Sequence, residues 1–170
     1  RKVQELFSYL LLHRNHPHPR ETLASLLWSD CPTAQSKKYL RQALWQLQAT
    51  LRSSGESAAG PVLLLEPDWI QLHPEADVWL DVAAFEQAAA LVQGKPGHSL
   101  DAPSVQALRT AVGLYQGDLL EGWYQDWCLY ERERLQNMYL AALDKLTEHC
   151  EAVRDSESGL FYAALTLRYD

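Results

Sequence analysis

The stretch Thr33-Ala34-Gln35-Ser36-Lys37-Lys38-Tyr39-Leu40-Arg41-Gln42-Ala43-Leu44-Trp45-Gln46-Leu47-Gln48-Ala49-Thr50-Leu51-Arg52 decides how the first half of the chain folds. Leu40, Ala43, Leu44, Leu47 and Leu51 recur at helical spacing, which predicts one amphipathic helix over 33–52. Thr33 or Asp30 can cap its start. At about 100° per residue, Leu44, Leu47 and Leu51 fall within about 40° of Leu40. Lys38, Arg41, Gln42, Trp45, Ala49 and Arg52 then face the other way. No carboxylate occurs from Thr33 to Ser53. Solvated helix faces usually mix signs, so this face is suited to an anionic partner.

Upstream, Val3, Leu6, Phe7, Leu10 and Leu11 line one face of a helix expected over 2–13. His13 to Pro19 reads as a polar turn broken by Pro17 and Pro19. Leu23, Leu26 and Leu27 mark a short helix over 20–28, and Ser29 to Thr33 break it. Downstream, residues 53–61 have the composition of a flexible loop. Val62 to Leu65, a turn at Glu66-Pro67-Asp68, and Trp69 to Leu72 read as a β-hairpin. Three helices and a hairpin in this order predict a winged helix-turn-helix over 1–75.

Residues 76–170 read as wholly helical. Phe85, Ala88, Ala89 and Val92 mark a helix over 81–93. Val105, Leu108, Ala111, Val112 and Tyr115 mark a second. A long third is expected over 126–154, and Leu160 to Leu167 start a fourth. Antiparallel helices with short connections predict a tetratricopeptide-like array, cut off after Asp170. The expected fold class is therefore mainly α, a winged helix-turn-helix followed by a tetratricopeptide-like helical domain.

The length of 170 residues fits one or two domains. At 47% hydrophobic and 22% charged, the composition excludes a disordered chain. No apolar run approaches a membrane span, so no membrane partner is expected. No charged-then-apolar leader opens the chain and three Cys are an odd, sparse set, so a reducing cytoplasm is expected. The net charge of -7 alone argues against nucleic acid. It hides an asymmetry, because residues 1–53 carry eight basic against three acidic residues, and residues 54–170 carry seven against nineteen. A basic end joined to an acidic end fits one domain meeting a polyanion while the other does not.

On the outward face, Arg41 can pair bidentately with guanine and Gln42 with adenine. Lys37, Lys38 and Arg52 suit phosphates, which position without specifying. Arg20 and Lys2 complete the candidate DNA contacts. Trp45 can pack on the hairpin, or contact sugar or a thymine methyl. Packing is expected, because large aromatics are more often buried.

The segments 2–13, 20–28 and 38–47 resemble the DNA-binding half of the bacterial SARP-type transcriptional regulators. Asp77-Val78-Trp79-Leu80-Asp81-Val82-Ala83-Ala84-Phe85, Ala111 to Leu120, and Trp127-Cys128-Leu129-Tyr130-Glu131-Arg132-Glu133-Arg134-Leu135 resemble their bacterial transcriptional activator domain. The resemblance covers nearly the whole chain. It implies binding to double-stranded promoter DNA, activation through RNA polymerase, and self-association as a homodimer through the second domain. The family's winged helix opens with a small sheet, and this sequence opens on the first helix. Those strands are expected to have been cut away or to lie outside the chain. The hairpin turn carries Glu66 and Asp68, which argues against a minor-groove contact by the wing.

No phosphate-cradling glycine loop occurs, so no cofactor is expected. His13, His16 and His18 lie in a turn that would not fix metal ligands, and no metal is expected. Cys128 and Cys150 fall on apolar stripes and read as small core residues. Glu148, His149 and Cys150 diverge around a helix and form no dyad. Asp126, Glu131 and Glu133 read as a solvated face. No enzyme is expected. The two readings carried forward are a DNA-binding activator and a protein-interaction module whose winged helix does not bind DNA.

Overall fold

The computed structural model describes residues 1–53 and 61–169. The linker expected over 53–61 therefore lies, at 54–60, outside the described residues. The chain forms two compact units, Arg1–Leu80 and Asp81–Asp170. It is mainly helical. Among the described residues no helix is long and apolar enough to cross a membrane.

The first unit comprises α1 (Lys2–Leu12), β1 (His18–Pro19), α2 (Arg20–Leu27), α3 (Thr33–Ser53), β2 (Leu63–Leu65) and β3 (Trp69–Leu72). Its core joins Leu6 and Leu10 of α1, Leu23 and Leu27 of α2, Leu40 and Leu44 of α3, and Ile70 of β3. The strands form one antiparallel sheet in the order β1-β3-β2, with Leu63 opposite Leu72 and Leu65 opposite Ile70.

The strand β1 corrects the reading of 13–19 as turn throughout. His18 pairs with Ile70 and Pro19 with Trp69. Proline is tolerated there because an edge strand leaves one side of its backbone without a pairing partner. Pro19 then precedes α2, whose first amide, on Arg20, donates to the Asp68 carbonyl at 2.9 Å. The long helix opens on Pro32, whose carbonyl accepts from the amides of Gln35 and Ser36.

The second unit comprises α4 (Asp81–Leu91), a 3-10 turn (Gly97–Ser99), α5 (Ala102–Leu114), α6 (Asp126–Val153) and α7 (Ser156–Thr166). The helix α6 packs on α5, α7 and the 3-10 turn, and α4 packs on α5. Phe85, Leu108, Leu135, Leu143 and Leu146 are core residues. Cys128 and Cys150 are fully buried, as their stripes predicted. The last helix begins four residues earlier than expected. Asp155 caps it, its carboxylate accepting from the Ser158 amide at 3.1 Å. Asp101 caps α5 in the same way through Ser104.

Three charged groups of α6 hold their surroundings together. Arg132 donates to the carbonyls of Leu119, Leu120 and Trp123 at 2.9, 3.1 and 3.2 Å, which fixes the connection into α6. Leu120 adopts a left-handed backbone there, φ 49. Glu131 is not simply solvated, as the sequence led one to expect. It is half-buried and pairs with Arg134 at 2.8 Å, which also reaches Glu86 of α4 at 2.7 Å. Asp126 and Glu133 are exposed.

Tyr115 stacks on Tyr139 with ring centroids 4.2 Å apart, and Tyr169 meets both rings edge-on. Burial, reinforced by Tyr169 and Asp118, pushes the Tyr115 phenol up to about 12 from its ordinary 10.0. A phenol that holds its proton more tightly folded than unfolded contributes stability below pH 10.0, lost as pH climbs through about 12. The melting temperature of the second unit is expected to fall across that window. Tyr115→Phe should flatten the fall, and an equal fall in the variant would trace it to another group.

Candidate nucleic-acid interface

The long helix divides its side chains as its sequence period requires. Leu40, Ala43, Leu44 and Leu47 are buried, while Lys38, Arg41, Gln42, Trp45 and Arg52 are exposed. Trp45 is 70% exposed, which overturns its expected packing on the hairpin. The hairpin closes the core with Leu63, Ile70 and Leu72, and Trp45 stands on the face of α3 turned away from that core.

Two clefts flank α3. One, of about 860 Å³, is lined by Arg20, Glu21, Lys37, Arg41, Pro67 and Asp68. It therefore joins the start of α2, the first half of α3 and the hairpin turn. Arg20 ties two of these together, its Nε donating to the Glu66 carbonyl at 2.8 Å. The other cleft, of about 250 Å³, is lined by Lys2, Trp28, Tyr39, Gln42 and Gln46 among others. Arg41 and Gln42 thus border different clefts.

The structure separates the candidate contacts into two sets. Lys38, Arg41, Gln42, Trp45 and Arg52 share the open face of α3. Three cations already have protein partners. Lys2 donates to the Leu27 carbonyl at 2.6 Å and pairs with the buried Glu5 at 3.0 Å, so it braces α1 against α2. Arg20 is committed to the Glu66 carbonyl. Lys37 pairs with Glu21 at 2.5 Å, and that hydrogen bond holds the Glu21 carboxyl below its usual range.

Glu21 is the residue that sequence reasoning missed. The absence of acid along α3 is real, but α2 supplies a carboxylate from sixteen residues away. The expected helix-turn-helix, which would set the start of one helix beside its neighbour, was the signal that could have found it. The charge asymmetry also changes once the compact unit is known. Residues 1–80 hold eight basic and eight acidic residues, because Glu56, Glu66, Asp68, Glu75 and Asp77 join the first three.

The histidines differ from their reading as a polar turn. His18 is buried in β1, its Nε2 lying 2.8 Å from the His13 carbonyl. Burial holds its imidazole below the usual value, against the pull of that carbonyl. The His16 and His18 rings are 4.4 Å apart, and Tyr9 packs on His13 at the same distance. Among the described residues no group of three or more His, Cys, Asp or Glu is arranged to hold a metal ion.

Comparison with known proteins bears on the second unit. Residues 80–160, somewhat under half of the chain, match the family model described as the bacterial transcriptional activator domain. No curated protein and no solved structure matches.

Proposed function

From that likeness and the face of α3, we propose that the protein is a DNA-binding transcriptional activator. In this reading Arg1–Leu80 is a winged helix-turn-helix. Its α3 is the recognition helix, and β2 and β3 form the wing. Asp81–Asp170 is a tetratricopeptide-like scaffold for self-association or for contact with RNA polymerase. No catalytic role, cofactor or metal is assigned, and the setting is the bacterial cytoplasm. The observation that carries the proposal is the open, acid-free face of α3, where Lys38, Arg41, Gln42 and Arg52 are all exposed. Arg41 and Gln42 read base edges, and Lys38 and Arg52 take phosphates.

The test is duplex binding by the whole chain across a salt series. Affinity should fall steeply between about 50 and 200 mM salt, as counterion release requires. Arg41→Ala should weaken the selected site by about 1–3 kcal/mol and relax preference at one base pair. Unchanged affinity and preference in that variant would remove Arg41 from the readout.

Glu21 gives the proposal a second handle. Its carboxylate occupies Lys37 much as a phosphate would. Glu21→Gln is expected to tighten duplex binding and to steepen the salt slope by about one counterion. A variant with the parent's slope would show that Lys37 does not reach phosphate.

One observation favours the other reading, a protein-interaction module. Glu66 and Asp68 stand at the hairpin turn, and Asp68 lines the same cleft as Arg41. If no duplex binds at any salt concentration, that reading replaces the first.

A further inference from the structure

Trp45 is the one large apolar side chain on the open face of α3. Among the described residues no ring or cation stacks on it. Its neighbours one and two turns away on that face are Arg41, Ala49, Lys38 and Arg52. An apolar partner surface would have to bury those charges with the ring, at a desolvation cost. A polyanion instead satisfies the cations and leaves the indole in contact with whatever apolar group it presents.

Resting on the DNA-binding reading above, we infer that Trp45 reads the 5-methyl group of a thymine in the major groove. In a duplex the base planes are stacked on one another and closed to an entering side chain. What the major groove offers is polar edges and one apolar group, the thymine C5-methyl. An indole aimed outward from a recognition helix meets that group and excludes water from it. Arg41 lies four residues before Trp45, about 6 Å along the helix. That is close to two base-pair rises of about 3.4 Å. The thymine therefore falls within about two base pairs of the base that Arg41 contacts.

The experiment uses the whole chain and the duplex recovered from a random-sequence pool. Each thymine is replaced in turn by deoxyuridine, which removes only the methyl group and keeps every hydrogen bond. For the parent, one replacement should weaken binding about fourfold, the worth of one methyl removed from water. Trp45→Ala should bind the thymine and deoxyuridine duplexes alike. Because Trp45 is exposed, the variant should melt with the parent. If it binds too weakly at the working salt, lower salt restores measurable affinity, since phosphate contacts strengthen for every sequence. A deoxyuridine penalty that persists undiminished in Trp45→Ala overturns the inference. So does a parent that tolerates deoxyuridine at every position. Either result leaves the DNA-binding reading standing, if the parent binds duplex with a steep salt dependence. Absence of that binding overturns both.

Discussion

Leu44→Ala should destabilise the first unit by about 2–5 kcal/mol, the range for truncating a buried leucine. Leu44 is 3% exposed and belongs to the cluster that unites α1, α2, α3, β2 and β3. Five elements contribute to that cluster, so no single one can move in to fill the space. A domain of this size has a net stability of only about 5–15 kcal/mol, so the loss is a large share of it. Denaturant unfolding of the whole chain reads the effect. One transition should move to lower denaturant, and the transition of Asp81–Asp170 should stay where it is. An unmoved pair of transitions would mean that α3 is rotated from the orientation described. Duplex affinity should survive at temperatures where the variant remains folded, because Leu44 lies on the buried side.

Gly97→Ala should be comparably severe in the second unit. A Cβ there would overlap the Lys145 carbonyl oxygen and stand 2.7 Å from the Glu148 Cβ. Both belong to the interior of α6, which cannot shift without breaking its own hydrogen bonds. The Gly97 amide also donates to the Glu148 carboxylate at 2.6 Å. Moving the 3-10 turn to relieve the clash would strand a carboxylate that is only partly solvated. The expected cost is about 3 kcal/mol, at the upper end for overpacking. Gly113→Ala is the control, since a Cβ at Gly113 meets nothing within 4 Å and the position is helical. Its melting temperature should equal or exceed the parent's. Equal melting temperatures for Gly97→Ala and Gly113→Ala would show that the turn is not wedged against α6.

The helices were legible because each repeats apolar residues at its own period. The stripe of α3 is the clearest case, and it orients Arg41, Gln42 and Lys38 without further information. What escaped the sequence is contact between residues far apart in it. The reach of Glu21 to Lys37, the tie from Arg20 to the hairpin turn and the pairing of His18 with Ile70 depend on how elements dock. Nothing in their local pattern encodes that. The start of α7 was missed for another reason. Its first turn, Ser156 to Gly159, carries no apolar residue, so the helix begins at a cap before its stripe begins. Trp45 was misread because a residue-type average was set above the wheel that already turned it to solvent. Gly97 lies in a connection that reads as loop, and its need for space comes from α6, some fifty residues away.

The balance of eight basic and eight acidic residues in Arg1–Leu80 bears on how any anionic partner arrives. At physiological ionic strength the Debye length is about 8 Å. Beyond it the cations of α3 and the carboxylates around them cancel, and the unit exerts almost no pull. By this unit alone a duplex is then met by unguided diffusion, at about 10⁵–10⁶ M⁻¹s⁻¹, well short of what charge-steered pairs reach. The open face acts only at touching distance, where its local surplus is no longer averaged away. Taken by itself, the unit should therefore answer added salt with a nearly constant arrival rate and a shorter lifetime of the complex.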